Sequence, residues 1–382
     1  MDTTLVSKIE TYKSGHFALS RHYDRSALKD DLIRAEERYR MVAETPILPN
    51  YAARLDEEVI IKSIFGTAAL EGNPLDEEEV KQVLDRGGQE ISPDRARREI
   101  ANLKEAYQRL RRPPKKPGAL MVDEELIKDI HRLITQGIEH PRNRPGRYRE
   151  ERVQVGDADH GGVYTPPKIL VDIKKLMTAL VEWINSEELL QEPPIVRAAL
   201  AHYHLALIHP FSDGNGRTAR LLEAFMLHAH NIRYVPPMLS NYYYRHLDEY
   251  YLAFSRARRD KDHDMTPFVG FVLQGFLEAL ERTRQRMNSF IRTPLLRHHY
   301  NFLFKTKYIT QRQHDLLNLL LDDLPAFTLD DLFTQPRFVP LYRRVSERTA
   351  RRDLERLSNL GLLWRDEKRR WNLSLLALDE QQ

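Results

Sequence analysis

The sequence predicts an all-α protein with one small β-hairpin, and three stretches of its 382 residues carry that prediction. Val196, Leu200, Tyr203 and Leu207 recur at helical spacing up to His209. Leu222, Phe225, Met226 and Ala229 restore the same period after Gly216. Between residues 147 and 164 the period changes. Arg147-Tyr148-Arg149 and Val153-Gln154-Val155 alternate, residues 156–162 form a polar, glycine-rich tip, and Val163-Tyr164 follows. That pattern predicts a two-stranded hairpin.

Taken in order, residues 1–50 hold one predicted helix, Ser26 to Val42, and a Pro46/Pro49 break. The next helix spans residues 56–72, with acids at its front and Gly72-Asn73 as its stop. Thr67 and Glu71 lie four apart and so share a face of its last turn. A helix C-terminus is electrostatically the wrong end for a solvated carboxylate such as Glu71. Asp76 to Leu84 and Pro93 to Leu110 read as helices, residues 112–118 as a Pro/Lys-rich linker, and Asp123 to Gly137 as another amphipathic helix. A further helix runs to Trp183-Ile184-Asn185. Thr266 caps and Pro267 opens one over Phe268 to Arg284.

A separate module begins near residue 300. Thr310-Gln311-Arg312-Gln313 is a capping-box start for a helix carrying Leu316, Leu317, Leu320 and Leu321. A short helix follows over Thr328 to Phe333, and Ser346 caps Glu347 to Leu360, with Gly361 at the stop. Leu362-Leu363-Trp364 and Arg370-Trp371-Asn372-Leu373 flank a basic turn. The module resembles a winged helix-turn-helix, whose second helix enters a DNA major groove. By that resemblance Arg348, Arg351 and Arg352 would meet double-stranded DNA. Glu347, Asp353 and Glu355 dilute the basic face, so DNA contact and protein contact both stay open.

The chemistry concentrates in one loop, His209-Pro210-Phe211-Ser212-Asp213-Gly214-Asn215-Gly216-Arg217-Thr218-Ala219-Arg220. Pro210 biases His209 away from the helical region, so the upstream helix ends there. Gly214-Asn215-Gly216 then lies at the N-terminus of the next helix, where free N–H groups attract anions. Arg217 and Arg220 could grip further phosphates, Asp213 offers a hard oxygen to Mg²⁺, and His209 is placed to act as a general base. Singly, each residue fits a plain turn between core helices. Twelve in this order do not. A metal hydrolase built on His202, His204, His209, Asp213, His228 and His230 is disfavoured, because residues two apart point to opposite sides of a helix and no His-Glu-x-x-His pattern exists.

The loop matches, at every defined position, the motif His-Pro-Phe-x-Asp/Glu-Gly-Asn-Gly-Arg-x-x-Arg of the Fic family, which the chain resembles over roughly residues 50–280. The resemblance implies a helical Fic core that transfers AMP from ATP to a Ser, Thr or Tyr hydroxyl of a protein, this chain itself included. It implies His209 as the base, Asp213 as the Mg²⁺ ligand, Gly214, Asn215 and Gly216 as the anion hole, and Arg217 and Arg220 as holders of the outer phosphates. Lys in place of Gly216 would imply phosphorylation instead. Thr67-x-x-x-Glu71-Gly72 fits the family's inhibitory-helix pattern, so Glu71 is expected on Arg220, in the place of the γ-phosphate. The hairpin, residues 147–165, is expected to act as a flap that aligns a target segment by strand addition. The adenine pocket is expected near Tyr250 or Tyr251. The implied organisation is an N-terminal helical region (1–110), a catalytic core (111–290) and the winged module (300–378). The rival reading is a DNA-bound regulator whose core senses nucleotide with little turnover.

Composition bounds these readings. A net charge of +3 excludes a molecule that binds nucleic acid over its whole surface. No cysteine is present, which excludes disulfides and thiolate metal sites and fits a reducing compartment. No apolar run is long enough to span a bilayer, and the first residues lack a basic-then-apolar signal. The expectation is a soluble, cytoplasmic protein without a membrane partner.

Overall fold

The computed structural model describes residues 5–85, 94–110, 121–138, 144–322 and 326–374, and the 112–118 linker lies outside them. The chain divides into two compact units, Met1–Arg284 and Gln285–Gln382.

The first unit opens with an antiparallel hairpin, β1 (Val6–Glu10) and β2 (His16–Ser20), in the register Val6 to Ser20. Lys8 and Glu10 obscure its alternation in the sequence. It is held to the core through Asp172, whose carboxylate accepts from the backbone N–H groups of Tyr12 and Lys13 and from the Ser14 hydroxyl. Then come α1 (Lys29–Glu44), α2 (Pro49–Ala69), α3 (Glu77–Asp85), α4 (Arg95–Leu110) and α5 (Glu124–Thr135). After these run α6 (Leu170–Ile184), α7 (Glu187–Leu190), α8 (Pro194–Ile208), α9 (Asn215–Ala229), α10 (Pro236–Arg245), α11 (Leu247–Arg259) and α12 (Thr266–Lys305), whose residues from Gln285 on belong to the second unit.

Helix α2 starts seven residues before the position expected from its acids, because Pro49 at its first turn is pre-set for helix. It ends at the expected punctuation. Gly72 adopts φ 80°, its N–H reaches Ala69 O, and the Asn73 N–H reaches Ala68 O, the paired bonds of a Schellman cap. Gly66 lets α2 press against α10: a Cβ there would lie 2.7 Å from the Asn241 Cα. That crossing fixes the end of α2, and with it the buried Thr67 and, at the edge of the site, the more exposed Glu71.

The expected hairpin over residues 147–165 is reduced to one antiparallel bridge, Val155 to Tyr164. Residues 147–149 alternate for a different reason. Tyr148 is buried against Phe211 with its hydroxyl on Glu124, and the Arg149 N–H donates to Pro210 O. The alternation therefore records docking on the core, and the backbone donor a strand partner would need is already used.

In the second unit, α13 (Gln311–Asp322) begins with reciprocal Thr310–Gln313 hydrogen bonds, a capping box. Short helices α14 (Asp331–Thr334) and α15 (Val339–Tyr342) lead to α16 (Glu347–Asn359), capped by Ser346. Strands β3 (Leu363–Arg365) and β4 (Trp371–Leu373) pair antiparallel, and Phe327 bridges to Trp371. Leu316, Leu317, Leu320, Tyr342, Ala350, Leu354 and Leu357 form its core.

Candidate functional site

The site lies where α8 hands over to α9. Buried on all sides, α8 stops at Ile208, and His209 closes it in the left-handed conformation, φ 52° and ψ 57°. The pre-proline restriction on His209 is thus met by a left-handed cap, not by extended chain. The N–H of His209 returns to Leu205 O at 3.0 Å. Its ring Nδ1 lies 3.3 Å from the Ala206 carbonyl, which can only accept. Nδ1 therefore carries the proton, and the Nε2 lone pair is left for chemistry. Burial and the Arg149 guanidinium push the imidazole down to about 4, against the opposing pull of the Ala206 carbonyl, Glu71 and Asp213. The ring is neutral at pH 7, as a general base must be.

After His209 the loop is locked from inside. Asn215 accepts from the Phe211 N–H through Oδ1 (2.9 Å) and donates from Nδ2 to the Phe211 carbonyl (2.8 Å). Its side chain therefore shapes the loop, and only its backbone is left to meet an anion. Gly214 takes φ 76° ahead of α9. The N–H groups of Asn215, Gly216 and Arg217 make no hydrogen bond among the described residues. Three free donors at a helix N-terminus suit an anion.

Both arginines of α9 are buried and already held. Arg220 donates from Nε to Thr67 Oγ1 at 2.8 Å and from Nη2 to Glu71 Oε1 at 2.7 Å. Burial alone would raise the Glu71 carboxyl, but Arg220 and Arg217 outweigh it and hold the group below its ordinary value. A Cβ on Gly216 would strike the Glu71 carboxylate and stand 2.9 Å from Arg220 Nη1. Gly216 thus gives Glu71 room as well as freeing a backbone donor. Arg217 lies 3.2 Å from Asp213 Oδ1 and 3.4 Å from Glu99 Oε1, and its Nε and Nη1 make no hydrogen bond among the described residues. Glu99 is held in turn by Arg95 (3.0 Å) and by Asn73 Nδ2 (3.0 Å), two residues past Glu71.

Asp213 accepts from the Gly214 N–H at 2.6 Å and faces Arg217 and Arg95. These partners outweigh burial and lower its pKa. No cluster of three or more His, Cys, Asp or Glu side chains among the described residues could hold a metal alone. The donor set, one carboxylate beside an anion site, suits a Mg²⁺ that brings phosphate oxygens with it.

Residues 121–227 match the model of the Fic/DOC family. The chain carries a Fic domain. The protein adenylyltransferase Fic of Nematostella vectensis is 32% identical over 225 residues, which cover 57% of this chain and 47% of that protein. The protein adenylyltransferase fic-1 of Caenorhabditis elegans is 30% identical over 237 residues, covering 60% and 42%. The chain spans under half the length of these curated relatives. Among solved structures, a Fic family protein of Desulfovibrio desulfuricans G20 superposes with a TM-score of 0.55 at 22% identity, over 94% of this chain and 96% of that one. It shares the fold. Fic-1 of C. elegans gives 0.56 at 25% identity, over 69% and 74%.

The fold brings His209, Asp213, Gly214, Asn215, Gly216, Arg217 and Arg220 of the Fic domain together with Thr67 and Glu71, which precede the matched residues, into one site. It separates the two tyrosines. Tyr250 is buried, stacked on Tyr243 (5.2 Å between centroids) with its hydroxyl 3.1 Å from His202. Tyr251 is half-buried beside His160. His202 and His204 are core residues, and His230 caps α9.

Sequence reasoning missed His131, Glu99, Arg95 and Arg149. His131 stacks on Phe211 at 3.7 Å, accepts from the Gly146 N–H on Nδ1, and so donates from Nε2 to the Asp213 carbonyl. Burial pushes it down to about 4, which keeps that tautomer in place at neutral pH. Its position on the apolar face of α5 reads as ordinary core, so no local signal marks it. The arginines Arg348, Arg351 and Arg352 are exposed on α16, in the other unit.

Proposed function

We propose that this Fic domain transfers AMP from ATP to a hydroxyl of a protein, with Glu71 restraining the reaction. The observation that carries this reading is a neutral His209, with Nε2 free, beside three unpaired N–H groups at the head of α9. The attacking hydroxyl gives its proton to His209 Nε2 as its oxygen bonds the α-phosphorus. The bond from that phosphorus to the bridging oxygen breaks, and pyrophosphate leaves. The N–H groups of Asn215, Gly216 and Arg217 stabilise the phosphate charge. Asp213 would hold Mg²⁺, which supplies charge neutralisation to the leaving pyrophosphate. Tyr251 is the ring of the tyrosine pair that adenine can reach, since Tyr250 is enclosed. The segment around the Val155–Tyr164 bridge would receive the target chain by strand addition.

Incubation with α-labelled ATP, with and without Glu71→Gly, tests the reading. Covalent label on protein is expected, and reversible nucleotide binding without label would sink it. Asp213→Ala should lose activity across the whole Mg²⁺ titration. A titration curve unchanged in midpoint and amplitude would remove Asp213 from the metal site.

A second reading concerns the other unit. Asp353, which dilutes the basic face of α16 in the sequence alone, is buried and paired with Arg312 (2.7 Å) and Gln313. The exposed surface of α16 is therefore more basic than its sequence suggests. With the β3–β4 turn beside it, this surface suits a duplex phosphate backbone as a winged helix would. Replacing Arg351 and Arg352 with Glu should weaken duplex binding and flatten its salt slope by about 2. Labelling of a protein substrate should not change. Equal duplex affinity of variant and wild type at every salt concentration would remove α16 from any such interface.

A further inference from the structure

Arg149 is among the largest side chains of the molecule to be completely enclosed, at 1% exposure. Its guanidinium feels the Glu151 carboxylate only through space, without a hydrogen bond to it among the described residues. It donates instead to three backbone carbonyls, each at 2.8 Å: Nε to His209, Nη1 to Glu151 and Nη2 to Pro167. Its own N–H adds a fourth tie, to Pro210 O at 2.9 Å. A buried cation is costly unless every donor finds geometry this good. The three acceptors belong to the candidate base and to the two ends of the segment that carries the Val155–Tyr164 bridge.

We propose that Arg149 is a positioning residue for AMP transfer: its fork sets the left-handed turn at His209 and ties both ends of residues 151–167 to that turn. The planar guanidinium suits this role because it presents several donors in a fixed fan, which one ammonium cannot. Two consequences follow. The ring of His209 is aimed by a turn that a non-glycine residue enters only at a cost. The charge of Arg149, offset only in part by the nearby Glu151 carboxylate, also disfavours imidazolium at His209, adding to burial. The other charged groups facing that ring are Glu71, beyond the end of α2, and Asp213 in the loop, and both act in the opposite sense.

The inference depends on the AMP-transfer reading only for its activity measurement. In a Glu71→Gly background, Arg149→Gln should lower kcat by about a hundredfold, as for a base moved by about 1 Å, with KM for ATP nearly unchanged. Its acid limb should move to higher pH, because the imidazole regains protons once the neighbouring cation is gone. Arg149→Lys should lose comparable kcat yet keep the acid limb of the parent, which separates the turn from the charge. A merely structural arginine would lower melting temperature without moving the limb, and that result would overturn the proposal. So would Arg149→Gln with kcat within about twofold of the parent.

Histidine-¹⁵N NMR of the wild type needs no folded variant of Arg149. His209, identified by the signal lost in His209→Asn, should be the Nδ1–H tautomer and titrate near 4. Titration near the ordinary 6.5, or the Nε2–H tautomer, overturns the proposal. If the predicted NMR behaviour is found while Glu71→Gly transfers no AMP, the neutral Nδ1–H state of His209 stands and the transfer reading fails.

Discussion

Glu71→Gly should accelerate AMP transfer by about a hundredfold, the gain expected from realigning a reacting phosphate. In the structure Glu71 occupies Arg220 through a 2.7 Å ion pair, so Arg220 is not available to an outer phosphate. On the proposed reading, ATP would then bind with its α-phosphorus out of line with the attacking hydroxyl. The energy of the ion pair matters less than the position it blocks. Folding should survive the change. Arg220 keeps its 2.8 Å bond to Thr67 Oγ1 and a 3.3 Å contact to the Thr67 carbonyl, so the buried cation is not orphaned. Glu71 also lies past the last turn of α2, where glycine costs little helix stability.

Arg220→Ala in the same background should reverse the gain, because the released phosphate then has no partner. The measurement is the initial rate of pyrophosphate release, since accumulated label reflects removal of AMP as well as its transfer. An initial rate equal to that of wild type would return Glu71 to an ordinary carboxylate. Acid does not offer a physiological release. A carboxyl held below its ordinary 4.5 keeps its charge above that value and lets the pair go only as pH falls through the lowered pKa.

His209→Ala should reduce transfer by about 10²- to 10⁴-fold, the usual worth of a general base, while ATP affinity stays within about threefold. The ring carries the free Nε2 and no hydrogen bond to the N–H groups at the head of α9, so its loss leaves the anion site whole. Alanine must still adopt φ 52°, which strains the turn. His209→Asn is the better variant, because Asn tolerates the left-handed region. Equal loss in both variants assigns the effect to the missing base. Near-wild-type transfer by His209→Asn would exclude proton transfer through the ring, and a loss confined to His209→Ala would assign the effect to backbone strain.

The residues at 209–220 determined most of the site without the structure. Apolar spacing on either side located α8 and α9, Pro210 marked the break, and Gly214-Asn215-Gly216 marked the helix start. Thr67 and Glu71 were legible for the same reason: four-residue spacing and a Gly72-Asn73 stop are local signals. Other features were decided only by the tertiary structure. The α2–α10 crossing at Gly66 brings Glu71 across 149 residues to Arg220. His131 and Arg149 reach the loop across 82 and 60 residues, through backbone carbonyls, which any sequence can supply. Residues 147–149 alternate like a strand yet dock on the core, because period alone cannot tell which partner takes the backbone donors. Asp353 looks like surface on α16 and is buried on Arg312. Local pattern records what each segment can form, while the partners of buried polar groups depend on which segments the chain brings together.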